Sequence, residues 1–147
     1  MVGESALREI YAYLRSNKSQ FNPDDEFSRI SGCSQPITIY FYEPEELRAV
    51  LRADSIAEDQ LGELGILLDK SKSGCFATGN RFIMINKRVP ERFIACEVMH
   101  ELAHMKFSHE PAELQEARAR QICHNYALAM GFLWEYLETM KRIFGSG

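Results

Sequence analysis

The chain has 147 residues, 46% hydrophobic and 26% charged, an ordinary composition for one globular domain. Its 17 Lys and Arg against 21 Asp and Glu leave a formal charge of −4 at pH 7. That balance excludes duplex nucleic-acid binding through bulk positive charge, and no apolar run approaches the ~18 residues a membrane helix needs. Residues 1–11 carry Glu4 and Glu9 and no apolar core segment, so they do not read as a secretion signal. The four cysteines, Cys33, Cys75, Cys96 and Cys123, form no C-x-x-C pair. They read as reduced thiols of a cytoplasmic protein, each expected as a small buried apolar residue.

Residues 5–15 predict a helix, with Leu7, Ile10 and Leu14 on one face and Ser5 as N-cap. The polar stretch 17–23 ends in Pro23 and reads as a loop. A short helix is expected over 24–30. Residues 37–42 are β-branched and aromatic, the strongest strand signal in the chain. Residues 44–52 read as a helix, with Glu45 and Glu46 where the helix dipole favours acids. Residues 64–68 suggest a strand weakened by Gly65, and 69–74 a turn-rich link. A hairpin is expected from 75–78 and 81–85 about a Gly79-Asn80 turn. After a loop at 87–90, residues 91–107 have helical spacing. Pro111 opens a second long helix past Ala129, and Gly131 breaks it before a last helix ending near Phe144. Residues 145–147 read as a tail outside a single domain of 1–144. Strands and helices are segregated rather than alternating, which predicts an α+β fold.

The chemistry is concentrated at His100-Glu101-Leu102-Ala103-His104, an H-E-x-x-H motif. Residues four apart on a helix differ by about 400°, or about 40° after a full turn. Both imidazoles therefore point the same way and can hold one zinc ion at about 2.0–2.1 Å. Glu101 is rotated by about 100° and can flank the ion as general base without ligating it. Ala95, Val98, Met99, Leu102, Ala103 and Phe107 make this helix largely apolar, so two histidines and a glutamate on it call for a polar purpose. A catalytic zinc needs a third protein ligand. Phe107 and Glu110 stand where a metzincin has Gly and His, which excludes that class. His109, Glu110, Glu113 and Glu116 remain as candidates, and residue chemistry alone does not choose among them.

Three segments occur in order: Ile83-Met84-Ile85-Asn86, then the H-E-L-A-H run, then Glu116-Ala117-Arg118-Ala119-Arg120-Gln121-Ile122-Cys123. In this the chain resembles the ImmA/IrrE family of zinc-dependent peptidases. The resemblance implies a small zincin-like domain, with an active-site helix and a second ligand helix on a short mixed sheet. It implies Glu116 as the third zinc ligand beside His100 and His104, and Glu101 as the catalytic base. Ala119 and Cys123 would let the two helices approach closely. Arg120 stands where the family commonly has Asn or Asp, and arginine cannot accept a hydrogen bond from a ligating histidine. SprT-like and YgjP-like proteins also carry H-E-L-A-H but use a later histidine, which here would be His109.

The expected reaction is hydrolysis of a peptide bond in a specific protein substrate. The resemblance adds a DNA-binding transcriptional repressor as a candidate partner, with no direct contact to nucleic acid or membrane. The alternative is a zincin-fold binding or regulatory module without turnover. His124, Asn125 and Tyr126 are the candidate oxyanion donors, and a helix histidine with no role is the plainer reading of His124. The strand at 82–85 is expected either to border the cleft and pair with an extended substrate or to be an ordinary core strand. Cys96, one turn before His100, is the candidate for a fourth, closing ligand. Phe132, Trp134, Tyr136 and Phe144 read as core or interface.

Overall fold

The computed structural model describes residues 2–77 and 82–145. Helix α1 spans Glu4–Ser16 and begins at Gly3 rather than Ser5. The Gly3 amide donates to the Gln60 carbonyl at 2.7 Å, and the Gly3 carbonyl accepts from Leu7 at 2.9 Å. A tertiary contact therefore sets the start that a side-chain cap was expected to set.

Strand β1, Lys18–Phe21, lies inside the segment expected to be a loop. Lys18, Ser19 and Gln20 are polar and exposed and only Phe21 is apolar, so the segment carries no alternating hydrophobic signal. It forms because its backbone pairs antiparallel with β2, Lys18 opposite Tyr40. Helix α2, Asp25–Ser31, is capped by Asp24, whose Oδ1 accepts from the Phe27 amide at 2.7 Å. Strand β2 is Ile37–Tyr42, as expected. Helix α3, Pro44–Ala53, is capped by the Glu43 carboxylate on the Glu46 amide.

The strand expected at 64–68 is instead the end of a 3-10 segment, Glu58–Leu68, kinked at Gly62 with φ 54°. Its leucines 61, 67 and 68 are buried over the sheet, so packing uses them as a lid and not as a ladder. Strand β3, Gly74–Ala77, pairs antiparallel with β4, Phe82–Asn86. The Gly79-Asn80 turn expected between them lies outside the described residues. One 3-10 turn, Glu91–Phe93, leads into α4, Ile94–Lys106. Pro111 precedes α5, Ala112–Ala129, and Gly131 at φ 82° separates it from α6, Leu133–Phe144. Gly145 is the C-cap of α6, at φ 83°. Ser146 and Gly147 lie outside the described residues.

The architecture is α+β around a mixed sheet of order β1-β2-β4-β3. β2 and β4 run parallel, with Ile39 opposite Ile83 and Tyr42 opposite Asn86. Alternation along these strands splits the core in two. Ile39, Ile83 and Ile85 face a cluster with Phe27, Val98, Met99, Cys123 and Tyr126, contributed by α2, α4 and α5. Tyr42, Met84 and Cys75 face a second cluster with Ile10, Leu14, Leu47, Leu51 and Leu61. The sheet is thus covered on both faces, and α4 is clamped between it and α5. Ala103, Ala119 and Cys123 are buried along the α4 and α5 pair, where small side chains allow a close approach. Among the described residues no helix is long and apolar enough to cross a membrane.

Candidate metal centre

The two imidazoles of α4 project to the same side, with His100 Nε2 and His104 Nε2 3.2 Å apart. Glu116, in the second turn of α5, reaches both. Its Oε2 is 2.8 Å from His104 Nε2 and its Oε1 is 3.5 Å from His100 Nε2. A tetrahedral zinc with ligands at about 2.0–2.1 Å has ligand-to-ligand edges of about 3.3–3.4 Å. The three separations bracket that edge. Among the described residues this is the group of histidine, cysteine and acidic side chains that could hold an ion. Two imidazole nitrogens and a carboxylate suit a divalent transition-metal ion.

The charged groups of the cluster interact strongly. Burial pulls His100 down, but the Cys123 thiol, Glu116 and Glu101 outweigh it and lift the imidazole to about 10. The contact with His100 holds Glu116 down at about 2 against its partial burial. Imidazole and carboxylate thus stabilise each other's charged forms across the site.

Glu101 is 7% exposed and lies on the cavity wall beside the three ligands. Burial pushes its carboxyl up to about 7, with His100 opposing and Glu97 and Glu116 adding. A Cβ at Gly74 would meet the Met84 carbonyl at 3.0 Å and Glu101 Oε1 at 3.7 Å. Glycine there lets β3 run close beneath the carboxylate.

The surroundings supply what Arg120 cannot. Gln115 Oε1 lies 3.3 Å from His104 Nδ1, the ring nitrogen turned away from Glu116. Its amide nitrogen donates to the Ser108 and Glu110 carbonyls at 3.2 and 2.9 Å, which fixes the orientation of the amide. Gln115 was missed in the sequence. The signal was an amide next to Glu116, able to accept from an imidazole while donating to the α4–α5 turn. Replacing Gln115 with leucine is expected to weaken zinc binding by about 10–100-fold while the fold is retained, read by chelator competition. Phe76 stacks on the His104 ring, centroids 6.0 Å apart. Behind His100, Cys123 Sγ donates to Tyr136 Oη at 3.3 Å, and Tyr136 donates to the buried Glu97 at 3.2 Å. This chain was not anticipated, because its members lie on different helices.

The other candidates are placed elsewhere. His109 and Glu113 are exposed, and Glu110 pairs with Arg118 at 2.7 Å. Cys96 is fully buried in the core and outside the ligand group. Of the oxyanion candidates, Tyr126 donates to Asp24 and Asn125 is exposed, whereas His124 lines the cavity. Burial, then Arg120 and His100, lower the pKa of His124 and favour its neutral form. Tyr136 and Phe144 are buried and also line the cavity, while Trp134 is exposed. Cys33 is only half-buried, unlike the other three thiols.

The cavity measures about 770 Å³ and is bounded by α4, α5, α6 and residues 71–76. Strand β4 pairs on both sides, with β2 and β3, so it cannot accept a further strand. β3 is the edge strand on the cavity side, β1 being the other edge, and Gly74, Cys75 and Phe76 line the cavity. Compared with known proteins, the chain matches no family model, no curated protein and no solved structure.

Proposed function

We propose that the protein is a zinc-dependent peptidase with a zincin-like site, in which His100, His104 and Glu116 hold the ion and Glu101 is the general base. The observation that carries this reading is the convergence of two α4 imidazoles and one α5 carboxylate on a point beside a buried, non-ligating glutamate. It agrees with what the resemblance to ImmA/IrrE peptidases implies. A zinc ion bound there supplies Lewis acidity, polarising the scissile carbonyl and making water a better acid.

The remaining chemistry belongs to the chain. Glu101 takes a proton from the attacking water and passes it to the leaving amine. Its apolar surroundings raise its proton affinity, which suits a group that must both accept and donate near neutral pH. His124 is the candidate donor to the developing oxyanion, as it is the one sequence candidate on the cavity wall. The free edge of β3 offers backbone partners to an extended peptide, orienting it across the cavity. Gln115 keeps His104 in the tautomer that presents Nε2. The alternative without turnover rests on Arg120 and on the Cys96-Glu97-Val98-Met99 run before His100, and Gln115 answers the first by supplying the hydrogen bond that Arg120 cannot accept.

The test is digestion of a proteome-derived peptide pool by the zinc-loaded protein, with new termini read by mass spectrometry. Cleavages that vanish with chelator and return with zinc are expected. Termini indifferent to chelator, or none at all, would contradict the reading.

A further inference from the structure

Once the ligands and the base are set aside, the charges left on the cavity wall divide sharply. Glu97 is buried and hydrogen-bonded to Tyr136. The exposed charges are Lys72 from the link before β3, Arg120 from α5 and Lys141 from α6. All three are cationic and come from separate elements. Lys72 and Lys141 have no ion-pair partner among the described residues, and Arg120 reaches only Glu116, at 3.4 Å. Glu116 is itself committed to the ion in the proposed site. No exposed acid other than Glu116 lines the cavity. This positive mouth belongs to a chain of net charge −4, so it runs against the overall balance. A divalent cation at the ligands would add to it. Low-dielectric walls around charges of one sign concentrate the field and raise the local concentration of the opposite sign.

We propose that the cavity selects peptides carrying a carboxylate close to the scissile bond, received by Lys72, Arg120 and Lys141. The proposal rests on the peptidase reading for the meaning of "scissile", but its selectivity is a property of binding. A carboxylate can come from an Asp or Glu side chain or from a free C-terminus. The wide opening toward solvent accommodates either, and the recognition chemistry is the same.

The test uses the zinc-loaded Glu101→Gln protein, so that binding is read without turnover. Fluorescent randomised decapeptide pools are compared by anisotropy, with one central position fixed as Asp or Asn and the C-terminus free or amidated. The expected preference for the acidic pool is about tenfold, the combined effect of three exposed pairings of ordinary strength. It should shrink with added salt. It should fall to about twofold in Lys72→Gln/Lys141→Gln, two exposed positions outside the metal site, because only Arg120 of the three pairings remains. A preference that follows the central Asp assigns the side chain as the source, and one that follows the free C-terminus assigns the terminus. Equal binding of all pools, or no binding of any, would overturn the proposal. Acidic preference in a protein that cleaves nothing would leave it standing and remove the peptidase reading instead.

Discussion

Glu101→Gln is expected to keep zinc bound at full stoichiometry and to lower peptide hydrolysis by about 10²–10⁴-fold. The amide is nearly isosteric, so the surroundings of this 7% exposed side chain need not rearrange. In the proposed mechanism, what is lost is the group that takes the proton from water. Buried carboxyl groups are costly to charge, and Glu101 is held up to about 7 for that reason. Its replacement by a neutral group should therefore leave stability unchanged or slightly improved. Fragment release and metal content, measured on the same preparation, separate this from a structural defect. A variant that loses zinc along with activity would assign Glu101 to metal binding, and unchanged cleavage would remove it from the chemistry.

His104→Ala is expected to abolish stoichiometric zinc binding, a larger effect than the about 10–100-fold lost with an outer hydrogen-bond partner. The Nε2 of His104 is the atom nearest to both other ligands, at 3.2 Å from His100 and 2.8 Å from Glu116. Without it, one imidazole and one carboxylate remain, too few for a structural or catalytic zinc site. Glu116→Ala should behave alike, whereas His109→Ala should retain the metal, because His109 is exposed and lies outside the ligand group. Equilibrium dialysis with colorimetric zinc determination reads all three. Retention of zinc by Glu116→Ala with loss by His109→Ala would exchange their roles.

The parts of the fold legible in the sequence are those whose signal is local. Ile37–Tyr42 is a strand because its residues are β-branched and aromatic, and α4 is a helix because its apolar residues repeat with helical spacing. The motif spacing likewise puts both imidazoles on one side of α4 before any tertiary structure is considered. What was not legible depends on partners distant in sequence. Lys18–Phe21 is a strand only because β2 lies beside it. Residues 64–68 look like a strand in isolation and become a 3-10 lid because leucines 61, 67 and 68 pack on the second core. The edge position of β3 follows from the parallel pairing of β2 with β4, which no local pattern encodes.

The same division runs through the candidate site. Residue chemistry offered four third ligands, and only the approach of α5 to α4 separates Glu116 from His109, Glu110 and Glu113. Arg120 is one of the positions at which the chain departs from the pattern of the ImmA/IrrE family it resembles. The compensating amide sits five residues earlier, at Gln115, and recognising it required the course of the α4–α5 turn. The cationic wall is equally hidden in the sequence. Lys72, Arg120 and Lys141 are scattered through a net acidic chain and meet only at the cavity.

The most direct measurement is an anomalous difference map at the zinc absorption edge from crystals of the purified protein, with metal content determined on the same material. One zinc per chain is expected, bound by His100 Nε2, His104 Nε2 and a Glu116 carboxylate oxygen, with Glu101 outside the ligand set. A map with no zinc from zinc-replete protein, or with the ion on His109 or a cysteine, would contradict the proposed centre and the chemistry built on it.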